Sequence, residues 1–370
     1  MFSVTSLGFL PFMALFVCLW YRVPQPSRWK LVLAANAVFC LSIDIGAFFA
    51  VALATAVVWQ AAQHAQPEQP SRRGWLALGL AAALLPLLVL KYSGMLVPGL
   101  RDLYKPFGLA YYSLQLAGYL LDVWHGRTAP TPSYARLWCY AGFFLSLTQG
   151  PFNRYNTLMP QLEAAPKTFE TQRLVSGLQR SAWGYFKKFA IADRAAIVVS
   201  AAFADPASID RSQLIFATVM YSFQLYADFS GYTDIVLGMG EILGLHLPEN
   251  FRQPFFSASV KELWARWHIS LSQWFRDYVY IPLGGNRKGI ARRDANLLLT
   301  FLVSGLWHGA NWTFLVWGGL HGLCQVAEDH MPAPLRKRKS LPLRIVGVPL
   351  TFAIFVTTFT IFRTLSLIHI

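Results

Sequence analysis

The chain has 370 residues, 55% of them hydrophobic and only 14% charged, with a mean hydropathy of +0.40. Soluble domains carry about 25% charged residues, so this composition excludes an ordinary soluble fold and indicates a polytopic membrane protein. The 32 Lys and Arg outnumber the 18 Asp and Glu by a formal +14. They cluster between apolar stretches, which assigns them to cytoplasmic loops and anionic lipid and argues against nucleic acid as a partner.

A membrane span takes about 20 mostly apolar residues to cross about 30 Å of hydrocarbon. The opening stretch, MFSVTSLGFLPFMALFVCLW, has no basic start and no small-residue cleavage site, so residues 3–21 read as a first transmembrane helix and not as a removed signal. Residues 31–60 are too long for one span and are interrupted at Asp44-Ile45-Gly46. Two helices there put the basic loop 22–30 and Arg72-Arg73 on the same face, as the positive-inside tendency prefers. Spans follow at 75–97 and 107–124, and 137–150 is too short to cross. The segment 174–200 contains Arg180, Lys187, Lys188, Asp193 and Arg194, and is expected to be interfacial, tilted or buried in protein. Segments 212–227 and 232–247 are divided at Ser230-Gly231. Asp228 and Asp234 then read as helix caps flanking that break, with pore-lining carboxylates as the alternative. The uncharged run 295–327 would extend about 50 Å as one straight helix, and Gly309-Ala310-Asn311 is where it can break. Irregular backbone survives at membrane depth only where protein or a water-filled cavity satisfies it. A last span lies at 343–362.

Several chemistries have no local support. Cys18, Cys40, Cys139 and Cys324 stand singly in apolar surroundings, as small buried side chains and not as disulfide or zinc ligands. No HxxxH or HExxH spacing favours a metal, and no GxSxG elbow, Walker A or GxGxxG loop supports a serine hydrolase or a nucleotide-driven pump.

Two segments carry candidate chemistry. In KELWARWHISLSQWFRDY (261–278), Trp264, Trp267, Leu271, Trp274 and Tyr278 fall on one helical face, and Glu262 and Arg266 form an i,i+4 pair. An amphipathic helix lying in the membrane interface is the simple expectation, with His268 at the edge of its aromatic stripe as an interfacial histidine or a catalyst. In LVSGLWHGANWTFLVWGGLHG (302–322), His308 lies between a tryptophan and a glycine. An ionisable group at membrane depth marks a functional site by default, and an imidazole serves as a base near neutral pH. Trp307 would shield it from water and Gly309 would leave room for a substrate. The alternative is a packing histidine bonded to a neighbouring carbonyl. His321 would lie about 20 Å further along an unbroken helix, on another face, and reads as structural.

Those words, together with GPFNRYNTLMPQL (150–162), GYFKKFAIAD (184–193), YADFSGYTDIVLGMG (226–240), PENFRQPF (248–255) and LWARWHISLSQWFRDYVYIPLGGNRKG (263–289) in order, resemble the membrane-bound O-acyltransferase (MBOAT) family. The resemblance is nearest to its bacterial polysaccharide-acetylating branch, which includes the membrane subunits of alginate O-acetylation. It implies an all-α polytopic fold of about nine to eleven transmembrane or re-entrant helices around a central tunnel, with interfacial amphipathic helices, in a single membrane domain over 1–370. It places the catalytic histidine of the family at His308 and a second one at His268. It implies no bound cofactor, with an acyl thioester such as acetyl-CoA as donor substrate. Its other expected partners are the lipid bilayer and extracytoplasmic acetyltransferase proteins, at the bacterial inner membrane. Family members continue past IFRT (361–364), so the ending LSLIHI reads as a C-terminal truncation or a foreign tail. The rival readings are D-alanyl transfer to teichoic acid, and, from a different class, a transporter or a non-catalytic scaffold.

Overall fold

Asp44 shows how local chemistry divides the apolar run 31–60. Its backbone is extended between two helices, and its carboxylate accepts hydrogen bonds from Gly46 N (2.9 Å), Phe107 N (3.1 Å) and the Tyr104 hydroxyl. An aspartate that caps the following helix cannot also continue the preceding one. This computed structural model describes residues 3–100, 103–166, 168–337 and 340–364. The terminal LSLIHI word begins at Leu365, outside the described residues. Its helices are α1 (Phe9–Arg22), α2 (Arg28–Ile43), α3 (Ile45–His64), α4 (Arg72–Leu96), α5 (Leu109–Trp124), α6 (Tyr134–Ala141), α7 (Tyr155–Ala164), α8 (Thr171–Phe186), α9 (Asp193–Ala204), α10 (Arg211–Ile242), α11 (Val260–Arg266), α12 (Ile269–Phe275), α13 (Ile290–His308), α14 (Trp312–His330), α15 (Ala333–Lys337) and α16 (Leu341–Arg363). No strand occurs among the described residues, so the protein is all-α. The helices Ile45–His64, Arg72–Met95 and Leu341–Arg363 are long and apolar enough to cross a membrane unaided.

The chain forms two compact units. The first comprises Met1–Tyr185 and Tyr232–Pro248; the second comprises Phe186–Gly231 and Glu249–Ile370. In the first, α5 is buried almost all round. The short segment after α6 is non-helical yet buried, so its backbone needs partners. Fully buried Asn36 ties it to the helix before it, accepting from Phe144 N in the segment and donating to Cys139 O in the last turn of α6, both at 2.9 Å. In the second unit, Val199, Tyr221, Leu263, Trp267, Trp317, Phe355 and Phe359 form the core.

The expected break at Ser230-Gly231 is absent, because α10 runs unbroken through both residues. Asp228 and Asp234 are therefore not caps. Each pairs with a cation from the 174–200 segment: Asp234 accepts from Arg180 (3.1 Å) within the first unit, and Asp228 from Lys188 (2.6 Å) within the second. Lys188 also meets Asp193 at 2.8 Å, beside the π-helical turn Lys187–Ala192. These part-exposed pairs account for Arg180, Lys188 and Asp193 among the charges of that apolar stretch.

Candidate active site

The run 295–327 folds as a helical hairpin. Helix α13 ends at His308, Gly309 is extended, and Asn311 caps α14 by accepting from Thr313 N at 3.2 Å. Glycines let the two backbones touch: a Cβ at Gly305 would strike Phe314 O, and one at Gly318 would strike Phe301 O. At the open end, His330 Nε2 and Asp294 Oδ2 lie 2.7 Å apart. The break expected at Gly309-Ala310-Asn311 is thus a reversal, and it carries His308 at the tip.

Rings wall His308. Its imidazole centroid lies 4.8 Å from Trp307, 5.2 Å from Trp317 and 5.3 Å from Phe362, all edge-on. Even so it is half-buried, whereas His268 and His321 are buried. Gly309 has a packing role of its own. A Cβ there would enter the Phe314 ring, so glycine is required by the packing of the tip itself.

The segment 261–278 is not one interfacial helix. It comprises α11, a turn at Trp267-His268, α12 and a π-helical turn, Arg276–Tyr280. Trp267, Leu271, Trp274 and Tyr278 of the aromatic stripe are buried in protein, Trp267 within the core of the unit. The Glu262–Arg266 pair forms at 2.6 Å. Ser259 caps α11, with Glu262 N donating to its Oγ (3.0 Å), and the Glu262 side chain reaches back past the cap to accept from Ala258 N (2.8 Å). Buried Glu328 of α14 accepts two more donors, Val260 N (2.8 Å) and Lys261 N (3.0 Å).

His268 lies at the turn, with φ at +44°. Its ring meets Phe229 edge-on at 4.6 Å and Trp307 at 6.4 Å. Trp307 therefore touches both His268 and His308, and the second unit brings together the two histidines that lie 40 residues apart in sequence. His321 returns to the same cluster because the hairpin reverses. Its ring is 5.1 Å from Trp317. The Trp264 indole N–H, which can only donate, points to His321 Nδ1 at 3.3 Å. His321 Nε2 must then carry the proton and donate to Thr358 Oγ1 (3.0 Å), whose hydroxyl donates to Ile354 O (2.8 Å). Both ring nitrogens of His321 are engaged, which is a structural arrangement. The sequence reading did not single out Trp317, Phe362 or Phe229 as walls of the site, although all three lie inside words already quoted, Phe362 in IFRT.

A cavity of about 310 Å³ adjoins this cluster, lined by Trp264, Ser272, Phe275, Thr300, Ser304 and Gln325, with Lys261, Arg276 and Asp329 also at its wall. Ser304 precedes His308 by one helical turn and Ser272 follows His268 by one. Among the described residues, no group of three or more His, Cys, Asp or Glu is placed to hold a metal ion.

Comparison with known proteins adds relatives to this geometry. A sequence model of the membrane-bound O-acyltransferase family matches residues 89–368. "Probable alginate O-acetylase AlgI" of Azotobacter vinelandii is 35% identical over 95% of this chain and 73% of its own length. The peptidoglycan O-acetyltransferase of Helicobacter pylori is 31% identical over 82% of this chain and 64% of its own length. A teichoic acid D-alanyltransferase of Bacillus subtilis is more distant, 28% identical over 84% of each.

Proposed function

The chain belongs to the membrane-bound O-acyltransferase family and is a membrane acyltransferase, and from that premise we propose that it passes acetyl groups from a cytoplasmic thioester such as acetyl-CoA to the O-acetylation of an extracellular polysaccharide such as alginate. The observation that carries this reading is the pair of histidines on either side of Trp307, one half-buried at a hairpin tip and one buried. His308 is the general base. It takes the proton of an acceptor hydroxyl as that oxygen attacks the thioester carbonyl; the C–O bond forms, the C–S bond breaks, and the proton passes on to the departing thiolate. His268 orients the acceptor or stabilises charge on the tetrahedral intermediate. The cavity beside Ser272 and Ser304 suits the approach of a slender donor arm, and the reaction calls on no bound cofactor or metal.

The greater identity to the alginate and peptidoglycan acetylating proteins favours acetyl over D-alanyl transfer. The setting is the bacterial inner membrane, with extracytoplasmic acetyltransferase proteins receiving the group. Polymer acetylation in cells lacking the native gene, complemented with the wild-type protein or His308→Ala at matched membrane levels, tests the reading. Restoration by the wild type alone supports the base assignment. Equal restoration by both removes it and favours a scaffold or transporter.

A further inference from the structure

His268 occupies a turn that its own side chain does not hold. A positive φ is uncommon outside glycine, and it persists only where the surroundings impose it. As the N-cap residue of α12, His268 would be expected to accept a hydrogen bond from the first turn of that helix, but its imidazole makes no such bond. The first N–H groups of α12 go elsewhere. Ile269 N donates to the Asn250 carbonyl (3.0 Å), Ser270 N to Asn250 Oδ1 (3.2 Å), and the Ser270 hydroxyl to that same Oδ1 (2.6 Å). Asn250 is fully buried in the PENFRQPF word. Its neighbours grip the other shoulder of the turn: Phe251 pairs with Trp267 in an isolated antiparallel bridge, and Arg252 N donates to Arg266 O at 3.0 Å.

We propose that Asn250 is a positioning residue for acyl transfer. It caps α12 in place of His268, and so leaves the imidazole to lie against Phe229 and Trp307 instead of bonding its own helix. This rests on the role given to His268 above. The amide orientation is fixed, because a backbone N–H can only donate and Ser270 N must therefore face oxygen. Asn250 Nδ2 is then the other branch of the amide, buried and with no acceptor among the described residues. Asn250→Asp consequently keeps the oxygen that Ser270 uses and removes no hydrogen bond within the protein, and at this buried position the new carboxyl is expected to stay protonated, since an unpaired buried charge is costly. Asn250→Leu keeps the approximate shape and removes both bonds that the side chain accepts.

The test measures the rate of alginate O-acetylation in cells that lack the native gene and keep the extracytoplasmic acetyltransferase proteins, complemented with wild type, Asn250→Leu, Asn250→Asp, His268→Ala or the Asn250→Leu/His268→Ala double variant at matched membrane levels. Misplacing a reacting group by about 1 Å costs about 10²-fold in rate, and a fall of that order is expected for Asn250→Leu, with Asn250→Asp recovering most of it. The double variant should be no slower than His268→Ala alone, because Asn250 acts through His268. A wild-type rate in Asn250→Leu, or a further full loss on top of His268→Ala, overturns the proposal. A wild-type rate in His268→Ala instead overturns the role of His268, whatever Asn250 does. Should Asn250→Leu fail to reach the membrane, Asn250→Ala takes its place: slow turnover there beside fast turnover in Asn250→Asp supports the proposal, and equal rates overturn it.

Discussion

The second unit places a histidine at each of two helix breaks, and the breaks are made in opposite ways. At 309–311 the residues of the break make it themselves: Gly309 ends α13, Asn311 caps α14, and the chain reverses. At 267–268 nothing local demands a break. A tryptophan and a histidine sit within a good helical pattern, and the turn is imposed by residues 250–252 from another part of the chain. The self-made break leaves its histidine half-exposed, whereas the imposed break buries its histidine. A base that must meet an incoming hydroxyl needs the first kind of site, and a group that must hold one orientation is served by the second.

The largest expected effect separates His308 from the structural His321. Loss of a general base costs about 10² to 10⁴ in rate, so His308→Ala should abolish measurable acetyl transfer at an unchanged Tm. His321→Phe, which leaves the Trp264 N–H and the Thr358 hydroxyl without their partner, should instead lower Tm with a smaller change in rate. The opposite pattern would exchange the roles of the two residues.

Next comes the support of α11, which leads into the imposed break. Glu328→Ala strips the acceptor from Val260 N and Lys261 N, and a buried donor left without a partner costs about 1–3 kcal/mol. Glu328→Gln keeps one acceptor oxygen and should lie between Ala and wild type in thermal unfolding of the detergent-solubilised protein. If Ala and wild type unfold together, this cap contributes nothing to the break.

The self-made break is probed by Gly309→Ala, whose Cβ would enter the Phe314 ring. Overpacking of this kind costs about 1–3 kcal/mol, and adding Phe314→Leu should return part of the lost Tm. No recovery in the double variant would mean that Gly309 is required for another reason.

The smallest effect concerns the open end of the hairpin. Hydrogen bonds from His330, then from Arg293, hold the Asp294 carboxyl below the usual carboxylate range. A depressed folded-state value contributes stability above the ordinary carboxylate pKa, and that stability is lost as pH falls through the folded value. Asp294→Asn should therefore lower Tm slightly at neutral pH, with the difference closing on acidification below about pH 4. A difference that widens on acidification would reverse the assignment.

Much of this architecture is legible residue by residue. Hydropathy marks the spans, Asp44 divides α2 from α3, and Gly309 and Asn311 divide α13 from α14, because capping acts within one turn of the residue that causes it. Composition alone is enough to indicate a polytopic membrane protein. The ordered words carry the family, and His308 is conspicuous because an imidazole in an apolar run is costly wherever it ends up. What the sequence could not supply are the partners that lie far along the chain. Asp228 and Asp234 resemble caps until Lys188 and Arg180, 40 and 54 residues away, are seen to pair with them. The stripe of Trp264, Trp267 and Trp274 fits a membrane surface as well as a protein core, since periodicity marks an apolar face without saying what covers it. The turn at His268 was hidden for the same reason. Its strain is met by Asn250 and Phe251, and only tertiary structure decides which backbone groups those residues meet.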